Sequence, residues 1–105
     1  MEENEFLENT KTIVLAHLDN ITVEKLAKQL NFHPAHLYRK INIATTYSPS
    51  VFIRNIRLEE SKVLLKSTNM LTKDIAYAVG FNTPSYFIEC FRQKYNVTPE
   101  NFRKL

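Results

Sequence analysis

Four prolines set the frame for this chain. Pro34 and Pro49 stand fifteen residues apart, and Pro84 and Pro99 repeat that interval fifty residues later. Each follows a side chain able to cap a helix: His33, Ser48, Thr83 and Thr98. Proline suits the first helical position, where its missing N–H has no intrahelical acceptor and its fixed φ is already helical. The spacing therefore predicts four helix starts in two matched pairs. Apolar positions follow the same offset of 50: Leu37 matches Phe87, Ile41 matches Phe91, and Phe52 matches Phe102. Upstream of the prolines the offset becomes 49, pairing Leu26-Ala27, Leu30 and Phe32 with Ile75-Ala76, Val79 and Phe81. One motif is written twice.

The motif is helical. The chain has one glycine, Gly80, in 105 residues, and tight hairpins, bulges and phosphate-cradling loops depend on glycine. That argues against a β-rich fold and a P-loop, and an all-α fold is expected. Phe6 to Leu18 carries a helical apolar stripe at 6, 7, 13, 14 and 18. Thr22 and Thr72 read as N-caps of two short helices, the first over 23–30 and the second burying Ile75, Ala76 and Val79. Asn31 and Gly80 read as their left-handed C-caps. A helix from 34 to about 43 buries Leu37 and Ile41, and its counterpart from Pro84 buries Phe87, Cys90 and Phe91. Between the copies a long helix runs from Pro49 to near Lys66, with Phe52, Ile53, Ile56, Val63 and Leu64 as its apolar positions. The last helix opens at Pro99 and is anchored by Phe102. Tyr86 and Tyr95 read as core residues rather than a base-stacking platform.

A short capped helix, a tight turn and a second helix opening on a capped proline is the helix-turn-helix plan. Its first helix braces the second, whose outer face is left free to enter a DNA major groove. The expected organisation is an acidic lead-in and N-terminal helix over 1–20, a first unit with the linking helix over 21–66, and a second unit over 67–105. Together these form one compact DNA-binding domain. Charge points the same way. Four of the eleven acids (Glu2, Glu3, Glu5 and Glu8) fall in the first ten residues, leaving fourteen bases against seven acids beyond. Such an excess suits a polyanion. A lone cysteine, Cys90, cannot form an internal disulfide and reads as inert packing. No apolar run approaches the ~20 residues of a membrane span, and the expected location is cytoplasmic. No Ser-His-Asp spacing, paired-carboxylate pocket or Gly-rich loop is present, so the chain reads as no enzyme, with no cofactor. His33 and His36 lack a third ligand, so no metal is expected.

The stretches "IAYAVGFNTPSYFIECFRQKYNVTPENFRK" and "IRLEESKVLLKSTN" resemble the C-terminal signature and the linking helix of the AraC/XylS-type transcription regulators. The likeness runs from about Ile21 to Lys104. It implies seven helices, two helix-turn-helix units joined by one long helix, and sequence-specific binding to double-stranded promoter DNA in bacterial transcription regulation. RNA polymerase is a possible further partner. The isolated domain is expected to be monomeric, with dimerisation through domains beyond it. The first copy departs from the family pattern: Ile41-Asn42 stands for the usual Phe-Lys pair, and Thr46 for the usual glycine before the linking helix. "LYRKI" is similar to the DNA-binding ends of hybrid two-component sensor-regulators, which would place the domain at the cytoplasmic end of a membrane protein.

The resemblance puts base-facing positions of the first reading helix at Ala35, Tyr38 and Arg39. Arg39 is the leading candidate, because its planar fork can donate twice to guanine O6 and N7. On the second reading helix the inner face Phe87, Cys90 and Phe91 leaves Ser85, Ile88, Glu89 and Arg92 outward. Ile88 suits a thymine methyl; Glu89 suits cytosine N4, or else a helix-surface partner such as Arg92 or Gln93. Phosphate contacts are expected from His36, Lys40, Arg54, Lys73 and Lys94 and from the helix starts at Thr22, Thr72 and Thr83. The competing reading, from the departures at Ile41, Asn42 and Thr46, is a helical protein–protein interaction module that has lost DNA binding.

Overall fold

In a computed structural model that describes residues 2–105, seven α-helices follow one another: α1 (Glu3–Ala16), α2 (Val23–Gln29), α3 (Pro34–Thr45), α4 (Pro49–Ser67), α5 (Thr72–Ala78), α6 (Pro84–Tyr95) and α7 (Pro99–Lys104). The described residues contain no strand. The chain packs as two units that divide inside α4, between Ile56 and Arg57.

All four prolines open helices at the expected position. Their caps are made by side chains. His33 Nδ1 accepts from Ala35 N–H at 3.1 Å, Ser48 Oγ from Val51 at 3.3 Å, Thr83 Oγ1 from Tyr86 at 3.2 Å and Thr98 Oγ1 from Asn101 at 3.2 Å. The turns repeat as closely as the starts. Asn31 and Gly80, at the offset of 49, both have positive φ, 60° and 105°. After each, a backbone N–H reaches back to close the helix end: Phe32 N–H to Ala27 O and Phe81 N–H to Ala76 O, both 2.9 Å. Thr46 and Asn96, at the offset of 50, close α3 and α6 in the left-handed conformation, with N–H bonds of 2.8 Å to Asn42 O and Arg92 O.

The first core gathers Phe6, Val14, Ile21, Leu26, Ala27, Leu37, Ile41, Ile53 and Ile56. Thr10 is buried among them, its hydroxyl satisfied by Phe6 O at 2.7 Å. The second core gathers Leu58, Leu65, Ile75, Ala76, Val79, Phe81, Phe87, Cys90 and Phe91. Here aromatic edges meet faces: Phe91 lies 5.8 Å from Phe87, 4.7 Å from Tyr95 and 5.6 Å from Phe102.

Three expectations are corrected. Thr72 is not a cap but the first residue of α5; Leu71 takes the cap position, without a side-chain bond. Its carbonyl accepts the N–H groups of Asp74 and Ile75, each at 3.0 Å, so the helix starts one residue earlier than a threonine cap would set it. Val63 is exposed, while Leu58, Ser61 and Leu65 are buried. The reason is that α4 serves two cores. Ile53 and Ile56 belong to the first and Leu58 and Leu65 to the second, so no single apolar stripe describes it. Tyr86 is half-exposed, because Phe87 fills the inner face; its ring lies tilted beside that of Phe81, centroids 5.9 Å apart. Tyr95, in contrast, packs on Phe91 as expected.

Candidate nucleic-acid interface

Each unit presents one helix whose outer face is left to solvent. In the first, α2 braces α3 through Leu26 and Ala27 against Leu37 and Ile41. With that pair inward, Ala35, Tyr38 and Arg39 are exposed on α3. In the second unit Phe87, Cys90 and Phe91 turn α6 inward on α5. Ser85, Ile88, Glu89 and Arg92 are exposed on the opposite side. Tyr38 and Ile88 are therefore large apolar surfaces held in water, 50% and 37% exposed, and neither contributes to a core. The seven expected reading residues fall into two sets, one per unit, and six of them stand at matched positions: Ala35 with Ser85, Tyr38 with Ile88, and Arg39 with Glu89; Arg92 corresponds to Asn42. The repeat is thus kept in backbone and varied in chemistry at the outer face.

Glu89 has a local partner. Gln93 Nε2 donates to its Oε1 at 3.5 Å, one helical turn on, a long and weak bond that does not compete with a stronger acceptor or donor.

The expected phosphate contacts divide. Thr22 and Thr83 are exposed caps at the starts of α2 and α6, accepting from Lys25 N–H at 3.1 Å and Tyr86 N–H at 3.2 Å. Lys73 and Lys94 are exposed; the Lys94 ammonium lies 5.7 Å from the Tyr95 ring. His36 is exposed with its ring 4.5 Å from that of Phe32. Lys40 is placed differently. It is half-buried, with its ammonium 4.8 Å from the Phe6 ring centroid and 5.8 Å from that of Phe32. A cation over aromatic faces is held there by the ring quadrupoles. Phe6 comes from α1, which the second copy lacks, and the position matching Lys40 is the buried Cys90. Arg54 is partly buried and engaged within the fold.

Among the described residues, two have perturbed acidity. Desolvation lowers the Arg57 guanidinium, while burial and the Glu59 carboxylate, which accepts from the phenol at 2.9 Å, push Tyr95 up. Neither is among the candidate readers. Among the described residues no group of three or more His, Cys, Asp or Glu is placed to hold a metal ion. No described helix is long and apolar enough to cross a membrane.

Sequence reasoning did not find Arg103. Its Nε donates to Leu65 O at 3.0 Å and its terminal nitrogen to Met70 O at 2.7 Å. It ties α7 to the end of α4, and nothing in a lone arginine after Phe102 signals that reach.

A family described as a helix-turn-helix domain matches residues 26–105. Over 103 residues the chain is 32% identical to histidine kinase P4 of Formosa agariphila, covering 96% of this chain and 8% of that protein. The first curated relatives, among them transcriptional regulators and an activator, are spanned over only 8% to 32% of their length. Among solved structures, the C-terminal domain of AraT, a response regulator from Geobacillus stearothermophilus, superposes with TM-score 0.81 at 29% identity, covering 92% of this chain and 82% of that one. The DNA-binding domain of AdpA, solved with a target DNA, shares the fold at TM-score 0.84 and 22% identity, over 93% of this chain and 89% of that one. With two helix-turn-helix units in register and this match across most of its length, the chain belongs to the AraC/XylS-type helix-turn-helix family of transcription-regulator domains.

Proposed function

We propose that the chain binds double-stranded promoter DNA sequence-specifically, with α3 and α6 as major-groove readers, and serves as the output domain of a larger two-component regulator. The observation that carries this is the pair of solvent-facing helix faces: Ala35, Tyr38 and Arg39 on one, Ser85, Ile88, Glu89 and Arg92 on the other. Each face is held outward by a buried core on its reverse. Arg39 donates to a guanine edge, Ile88 covers a thymine methyl, and Arg92 supplies a second fork. Thr22, Thr83, Lys73 and Lys94 set the register on phosphates without reading sequence. Lys40 is reassigned to packing over Phe6. The two-component setting is supported by the likeness to a histidine kinase and to a response regulator's C-terminal domain. In that setting the domain works in the cytoplasm, and its task is positional: it sets the attached protein beside RNA polymerase.

The test is a titration against a random-sequence duplex pool at several salt concentrations. A DNA reader releases counterions, so log K falls linearly with log salt, by about 0.9 for each phosphate neutralised. Affinity independent of salt, or binding only to helical peptides, would reject the reading in favour of a protein-interaction module.

A further inference from the structure

An open cleft of about 440 Å³ lies at the elbow between α1 and α2, lined by His17, Asn20, Ile21, Lys25, Lys28 and Gln29. Two lysines, a histidine and two amides converge there, and no carboxylate is among the lining residues; Asp19 and Glu24 adjoin in sequence but lie outside it. The elbow is firmly built. The His17 carbonyl accepts two N–H groups, from Asn20 at 3.1 Å and Ile21 at 2.8 Å, and Ile21 is anchored in the core. The Lys25 ammonium donates to Asn20 O at 3.0 Å, which holds its charge at the rim rather than leaving the side chain to sweep through solvent.

The second copy of the motif supplies an internal control. At the offset of 49 the counterparts of Lys25, Lys28 and Gln29 are Asp74, Tyr77 and Ala78, while those of His17, Asn20 and Ile21 are Lys66, Asn69 and Met70. The bracing helices α2 and α5 have the same length and the same closing bonds. The fold therefore does not require lysines at these two positions of the bracing helix.

We infer that this cleft is a phosphate-binding site, occupied by a backbone phosphate of the bound duplex beside the bases that α3 reads. The inference rests on the DNA-binding reading above. Lys25 and Lys28 neutralise the phosphate charge, and the Asn20 and Gln29 amides donate to its oxygens. Ile21 floors the cleft and has nothing to offer an anion but shape. On α5 an aspartate and a tyrosine stand at the two lysine positions. The second unit's own cleft, at the start of α5, is lined by Leu71, Thr72, Lys73, Glu100, Arg103 and Lys104, so it includes a carboxylate, and its Arg103 is already bonded to Leu65 O and Met70 O. The duplex is thus gripped more firmly at the first unit, where Arg39 reads.

The test compares wild type with Lys25→Gln/Lys28→Gln, using Lys11→Gln on α1 as a control for lost net charge. All are titrated against one selected duplex between 0.15 and 1 M salt, with thermal melts to establish folding. Losing two phosphate contacts lowers the salt slope by about 1.8, which is roughly a 30-fold loss of affinity at 0.15 M relative to 1 M salt. The base preference recovered from a random pool stays that of wild type. A double variant with wild-type slope and affinity overturns the site while leaving DNA binding intact, and so does an equal loss from Lys11→Gln. A changed base preference overturns the phosphate assignment as well. Inorganic phosphate, titrated alone while the Lys25 and Lys28 side-chain resonances are followed, separates the sources. Saturation at millimolar phosphate, matched by undiminished duplex affinity in the double variant, makes it a site for a free anion and contradicts the inference. Wild type that binds no duplex fails the DNA reading itself.

Discussion

Thr46 carries a β-branched side chain at φ 68°, a conformation that costs a non-glycine residue about 1–2 kcal/mol. The family pattern has glycine at this point, and the departure was visible in the sequence; that the backbone nevertheless keeps the left-handed turn was not. Two local bonds hold it there: Thr46 N–H to Asn42 O at 2.8 Å, and Asn42 Nδ2 to Thr46 O at 3.2 Å. Thr46→Gly relieves the strain but gives up some unfolded-state restriction, so it is expected to stabilise by about 0.5–1 kcal/mol. A higher melting temperature checks this, and a lower one would show that the threonine side chain repays its own strain. Residue identity also misled at one point. Thr72 attracted the cap assignment because threonine is a good N-cap, yet the offset of 49 pairs Thr22 with Leu71, which is the residue that caps α5. The repeat was the better guide than the propensity.

At the scale of elements, the four proline-led helix starts and the inner faces of α3 and α6 were legible because each rests on local chemistry: proline, cap, and apolar spacing. The inward faces of α4 were not, since one helix divides its burial between two cores and shows no continuous stripe. Long-range clasps were equally hidden. Arg103 reaches 38 residues back to Leu65 O and 33 back to Met70 O. Charged hydrogen bonds to partly buried carbonyls contribute more than neutral ones, so Arg103→Ala should destabilise by about 1–3 kcal/mol, whereas Lys104→Ala, an exposed neighbour, should stay within about 0.5 kcal/mol. Chemical denaturation of both variants checks the pair. On α6, Glu89 takes a long bond from Gln93, and in the proposed mode of binding its carboxylate repels phosphates. Glu89→Gln is expected to leave specific binding intact or improved and to raise affinity for scrambled duplex at low salt. A loss of specific affinity beyond ~1 kcal/mol would instead make Glu89 a reader of cytosine.

For the whole molecule, the doubled motif conveyed the class of fold and the place of the two helices proposed to read DNA, because a repeat reports on topology. It could not convey how the two copies divide the work, since that depends on side chains that differ between them. Arg39 stands against Glu89, and Lys25 and Lys28 against Asp74 and Tyr77. In the proposed mode of binding, specificity lies chiefly in the first unit. Binding-site selection from a random duplex pool with wild type and Arg39→Ala tests this most directly. A bidentate arginine–guanine contact is worth about 1–3 kcal/mol of discrimination. The expected result is a motif unchanged except at one guanine position, where Arg39→Ala loses its preference, with specific affinity weakened by that amount. An Arg39→Ala motif identical to wild type at every position would contradict the account.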